Sequence, residues 1–191
     1  MSGIQQMLLV GSNPSTGQVF AFTASGTETL RSGYTNLTIE LWGETGQGGY
    51  GNLDDSGGGG GSGGYASITG TLAGWGGAGK TVTYALGTGG TATTSNVTAG
   101  TATGFTTLTA PPGGNGMNGA DGTAGAAGAI GTGGSTNSVG NAGNIGTPTG
   151  NSKGGVAVTG VNYTGHAGSA GKITGAPNRA GQTAVVAFYY S

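Results

Sequence analysis

Eight residues, Gly74 to Thr81, read GWGGAGKT and fit the phosphate-loop pattern G-x-x-x-x-G-K-[ST]. In such a loop glycine amides cradle phosphate oxygens, the lysine reaches the outer phosphates and the final hydroxyl holds magnesium. The chemistry also needs a helix opening at the lysine, because the helix N-terminus supplies part of the field that holds the anion. Here Lys80 is followed by TVTYALG, which alternates, is β-branched and ends in glycine, and so predicts a strand. No acidic residue closes a later buried strand to hold magnesium. The match is read as a glycine turn between two strands, in a chain with 49 glycines among 191 residues.

Other residues capable of chemistry are equally isolated. His166 stands in YTGHAGSAG with no nearby carboxylate and no serine–base arrangement, and so reads as a loop residue rather than a general base. Asp54 and Asp55 adjoin in NLDDSG, but a calcium loop needs oxygen ligands at alternate positions. There is no cysteine, hence no disulfide and no thiolate metal site. We therefore assign no catalytic, cofactor-binding or metal-binding residue, expect no cofactor, and do not expect an enzyme. Charged residues make up 6% of the chain, and the five cations (Arg31, Lys80, Lys153, Lys172 and Arg179) are scattered at a net charge of −1. That leaves no basic stripe to follow a nucleic-acid backbone, so no nucleic-acid partner is expected. No run of 18 apolar residues occurs, so no helix is expected to insert in a membrane.

The elements that position these residues follow a period of two. QVFAFTA sets Phe20 and Phe22 on one face, and NLTIELW sets Leu37, Ile39 and Leu41 opposite Thr38, Glu40 and Trp42. GYASITGTL, KTVTYALG, the weaker GFTTLTA and the closing QTAVVAFYY complete the strand set. Short strands parted by glycine turns predict an all-β, antiparallel, sandwich-like domain with little or no α-helix. Phe20, Phe22, Trp42 and Phe188 are its expected core residues.

A second period, of three, runs through the glycine-rich remainder. Glycine occupies 113, 116, 119, 122, 125, 128, 131 and 134 in unbroken phase, then 140, 143 and 146, then 165, 168 and 171. Three residues per turn is the repeat of the polyproline II helix, which has no internal hydrogen bonds and must satisfy its backbone on neighbours. Glycine at every third position clears a face so that backbones approach closely. A collagen-like trimeric rod would use this period, and so would one chain folded back into side-by-side polyglycine-II helices. No proline lies between Gly113 and Thr147, whereas stable collagen is rich in it. As one rod, 113–134 would extend about 68 Å, against a radius of gyration of about 16 Å for a compact chain of this length. Folding back is favoured, with Asn115, Asn118, Asp121 and GGSTNS as turn sites. Four segments result: 1–17, an N-terminal segment; 18–110, the β domain; 111–181, the glycine-rich region; and 182–191, a closing strand that returns to the β domain.

The order FTASGTETL, YTNLTIELWGETGQGG, GGGGSGGYASITGTL, GKTVTYALGTGG and TAVVAFYYS resembles the glycine-rich domain of bacteriophage tail-fibre and related virion proteins, over residues 18 to 191. The triplet tract is similar to that of the tip adhesins of T-even-like phages. The resemblance implies a virion protein, a tail-fibre or tail-tip adhesin that binds a host surface glycan or outer-membrane protein. Residues 1–17 would mount it on other virion proteins, and a homotrimer is one expected assembly. The alternative is a capsid or tail decoration protein without a receptor role. Tyr50, Trp75 and Tyr163 lie among glycines rather than in alternating strands, and are the candidate receptor contacts.

Overall fold

The computed structural model describes residues 17–51, 56–118, 123–146, 153–160 and 180–191. The described residues form nine strands: β1 (Gln18–Phe22), β2 (Gly26–Thr29), β3 (Asn36–Trp42), β4 (Tyr65–Thr71), β5 (Thr81–Ala85), β6 (Ser95–Thr98), β7 (Leu108–Ala110), β8 (Thr136–Ser138) and β9 (Val185–Tyr190). Among the described residues the one helical element is a 3-10 turn, Ala73–Trp75. The strands form a five-stranded sheet, β1-β9-β3-β4-β8, and a four-stranded sheet, β2-β5-β6-β7. Every pairing between them is antiparallel. The all-β, two-sheet expectation is met.

The core lies between the sheets. Leu37, Ile39 and Leu41 of β3 project into it beside Phe20, Val82, Tyr84, Val97, Leu108, Phe188 and Tyr190. Full burial of each large apolar side chain contributes about 1.5–3 kcal/mol. Rings join the layers: Phe22 stacks on Tyr84 at 5.3 Å, and Tyr84 meets Phe188 at 5.7 Å. Phe20, Trp42 and Phe188 are buried, and Phe22 is half-buried against the core. The period-two reading of β3 makes its second face polar, yet that face is buried as well. Trp42 packs there with Tyr65, Val185 and Ala187, and its Nε1 donates to Val158 O at 2.8 Å. Glu40 is fully buried on the same face and accepts from Tyr65 Oη at 2.6 Å.

Beyond β3 and before β4, the chain leaves the sheet but not the ordered structure. Gly43, Gly46 and Gly49 donate to the carbonyls of Gly64, Gly61 and Gly58 at 2.8–2.9 Å. One number rises by three as the other falls by three, so the two tracts are antiparallel with a three-residue register. Gly58, Gly61 and Gly64 in turn donate to Met117, Gly114 and Pro111. Gly59 and Ser62 donate to Asn144 and Asn141 and accept from Gly125 and Gly128, while Gly60 accepts from Gly155. Successive residues of 58–64 thus address different neighbours, and every third residue returns to the same one. This tract is buried along its whole length, 56–64.

Glycine is required here for closeness, not for unusual dihedral angles. Among the described tract glycines of 43–64 and 113–131, none has a positive φ. A Cβ at Gly46, Gly60, Gly61 or Gly116 would overlap a carbonyl oxygen of the neighbouring tract. The glycine-rich packing therefore includes 43–50 and 56–64, which precede residue 111. Conversely, β8 lies within 111–181 and pairs with β4. Asn115 is not at a turn: its Oδ1 accepts from Gln47 N at 2.8 Å as the chain continues to Asn118. The tracts on either side of 119–122 run antiparallel, with Gly114 and Met117 donating to Ala126 and Thr123. Asp121 lies outside the described residues.

Candidate functional site

Two regions present features that a partner could recognise, one at the end of the tracts farthest from the sheets and one at the opposite end of the sandwich. The first is built by the last described row of inter-tract bonds. Tyr50 N donates to Asn118 Oδ1 at 2.7 Å, Gly58 N to Met117 O at 3.0 Å, Met117 N to Thr123 O at 2.9 Å and Asn144 N to Lys153 O at 2.8 Å. Around this row Tyr50 is 37% exposed, and Met117 and Ile145 are each 61% exposed. Their exposure has a physical cause. A tract packed backbone to backbone leaves no interior volume for a large side chain, so apolar residues placed on it are forced outward. Ile130, Val139 and Val156 are turned out for the same reason. Lys153, also exposed, adds a cation at the rim.

Of the three candidate contacts named from sequence, the structure presents one. Tyr50 is at the tract end. Trp75 is a correction: at 4% exposure it belongs to the main core. The turn Ala73–Trp75 lays its indole against Gly70, where a Cβ would collide with the ring, and Phe105 meets it edge-on at 5.4 Å. Tyr163 lies outside the described residues, as do Asp54, Asp55 and His166. Met117 and Ile145 were missed, although a signal existed: a large apolar side chain in glycine-triplet phase has no core to enter.

The phosphate-loop match resolves into a turn. Gly76, Gly77 and Gly79 have positive φ, Leu30 N donates to Lys80 O at 2.7 Å, and Thr81 begins β5. No helix follows Lys80.

Buried carboxylates elsewhere are saturated by the fold. Glu44 is fully buried and accepts from Gly89 N at 2.7 Å, Thr93 N at 2.9 Å and Thr91 Oγ1 at 2.9 Å. It pins the 87–93 loop to the first tract.

The second region lies at the sandwich end, where β1 begins, β3 begins and β9 ends. Glu28, 5% exposed, accepts through Oε1 from Tyr190 Oη at 2.9 Å and from Arg31 Nε at 2.8 Å. The Arg31 guanidinium lies 3.5 Å over the Phe20 ring, a cation–π geometry. Burial beside the Glu28 carboxylate drives the Tyr190 phenol far above its ordinary range. Tyr84, also desolvated, is pushed up to about 12. Burial opposes the charge on Arg31, but the hydrogen bonds to and charges of Glu28 and Tyr190 together outweigh it and its pKa is raised. Beside this cluster opens a cleft of about 630 Å³ whose walls include Gln18, Thr27, Glu28, Thr29, Arg31 and Tyr34, so that its one cation and its one carboxylate are paired with each other. Sequence reasoning assigned these residues no role, since nothing local joins Glu28 to a tyrosine 162 positions away.

Comparison with known protein families and with curated protein sequences finds no match.

Proposed function

We propose that this chain is a non-enzymatic phage virion protein, a tail-fibre or tail-tip adhesin whose glycine-rich end meets a host surface receptor. On this reading the tracts are polyglycine-II helices of a single folded-back chain. Their three-residue hydrogen-bond register and its closure within one chain support that over a collagen-like trimer. The observation that carries the proposal is the exposed ring of Tyr50, Met117 and Ile145 at the end of a stiff, backbone-bonded body, far from the sheets. Apolar and aromatic groups displayed on such a support lose little conformational entropy on contact. Many copies on one particle multiply a weak single contact.

The test is binding of fluorescently tagged protein to host cells, with whole phage as competitor. Saturable binding that the phage displaces is the expected result. Absence of binding by a protein still present in purified particles would leave the decoration role instead.

A further inference from the structure

Glu28 is 5% exposed and forms one wall of the cleft. Both of its side-chain hydrogen bonds, from Arg31 Nε and Tyr190 Oη, fall on Oε1. Its Oε2 accepts from no group among the described residues, and a buried carboxylate oxygen left in that state is costly. Arg31, beside it, uses Nε for Glu28 and lays its guanidinium over Phe20, with its side chain 39% exposed. A guanidinium carries five N–H donors, so the pair offers further donors to the cleft that it lines. An open acceptor and open donors therefore adjoin in a cleft without net charge. An ammonium group brought there would meet Arg31 and a carboxylate would meet Glu28, which selects a neutral occupant. Gln18, Thr27, Ser32 and Tyr34 line the rest with groups that both donate and accept. Small-molecule pockets are mostly lined by apolar side chains, whereas here the one aliphatic wall residue, Leu30, is buried.

We infer that this cleft binds a neutral saccharide, whose adjacent ring hydroxyls donate to Glu28 Oε2 and accept from the outer N–H groups of Arg31. Each hydroxyl gives one proton and accepts through two lone pairs, so neighbouring hydroxyls answer both halves of the ion pair at once. Tyr34, held against Tyr190 at 5.3 Å, offers an aromatic face for the C–H edge of the sugar ring. The cleft volume of about 630 Å³ falls within the range of about 300–1,000 Å³ of small-molecule sites. The site is at the end opposite Tyr50, Met117 and Ile145, and the inference does not depend on the adhesin reading.

The experiment is an NMR titration of the intact, isotope-labelled chain. The probes are the methyl glycosides of glucose, galactose and mannose, with cyclohexanol and methyl glucuronoside for comparison. At least one neutral glycoside is expected to shift the Arg31 Nε–H signal together with the Ser32 and Tyr34 amides, saturating in the millimolar range. Cyclohexanol, with one hydroxyl on a ring of the same size, should bind at least about tenfold more weakly, the scale of one hydrogen bond to a charged group. The glucuronoside should gain nothing over the glucoside, because the cleft has no net charge. Glu28→Gln keeps an oxygen for Arg31 and Tyr190 but turns the open acceptor into a donor, and should weaken glycoside binding about tenfold. Should that variant fail to fold, the comparison of glycoside with cyclohexanol in the unaltered protein still decides. Four results would overturn the inference. They are no shift at these positions with any glycoside, cyclohexanol binding as tightly as the best glycoside, a folded Glu28→Gln protein that binds unchanged, or a glucuronoside preferred about tenfold over the glucoside. The last would make the cleft a reader of charge rather than of hydroxyls.

Discussion

In the sandwich, side chains hold two sheets apart at roughly 10 Å and fill the space between them. In the glycine-rich tracts, backbones hold one another directly and side chains face out. Both regions come from one chain and share β3, whose last residue, Trp42, leads straight into Gly43. The sandwich is stabilised chiefly by apolar burial, the tracts by hydrogen bonds between groups that water would otherwise satisfy. Each such bond has a net value of only about 0.5–1.5 kcal/mol, so the tracts depend on many bonds formed together. The difference also accounts for the surface: among the described residues, the large exposed apolar side chains are all on or beside the tracts.

The comparison can be broken most severely from the sandwich side. Phe188 is fully buried and touches both Phe22 and Tyr84. Phe188→Ala should cost about 3–5 kcal/mol, read by chemical denaturation.

Next in size is a substitution that adds apolar matter and still destabilises. Gly60→Ala places a Cβ against Gly46 O, and should cost about 1–3 kcal/mol, as other overpacking does. At Gly33, with φ +88° and open space around it, Ala should cost about 1 kcal/mol for a different reason, the left-handed backbone. A Gly60→Ala protein as stable as the parent would show that close backbone approach is not what holds the tracts.

A pH effect is expected from the sandwich. Tyr84 is pushed up to about 12 by burial, from the ordinary value of 10.0, and Tyr190 is raised further in the same direction. Because the unfolded chain loses these protons first, their contribution is present below pH 10 and is lost as pH rises through about 12. Phenolate absorbance and circular dichroism followed together should change in one step there, not in two.

The smallest expected effect on stability is at the tract end. Met117→Ser removes an exposed side chain and should leave stability within about 0.5 kcal/mol, while reducing cell binding if the proposed function holds.

How much of this was legible in the sequence differs between the two regions. Strands β1, β3, β4 and β5 were readable from their period of two, and β9 from its β-branched and aromatic residues. GTET, SNVT and TNS, which form β2, β6 and β8, were not, since threonine, serine and asparagine suit turns as well as strands. The glycine period announced close packing between tracts, but it did not say that 56–64 would be enclosed by the others. Trp75 was misread because its glycine neighbours resemble an exposed loop, whereas the turn folds its indole back over Gly70 of the preceding strand, β4. The exposure of Tyr50 was readable from its setting among glycines. Arg31 and Glu28 were not, because their site is assembled by Phe20 and Tyr190 from the two ends of the described chain.

The most direct test of this account is amide hydrogen exchange across 58–64 compared with β3. If backbone bonding orders the tracts, the amides of Gly58, Gly59, Gly61, Ser62 and Gly64 should be protected to the same degree as those of Ile39 and Leu41. Exchange of these amides at the rate of an unstructured glycine chain, with β3 still protected, would contradict it.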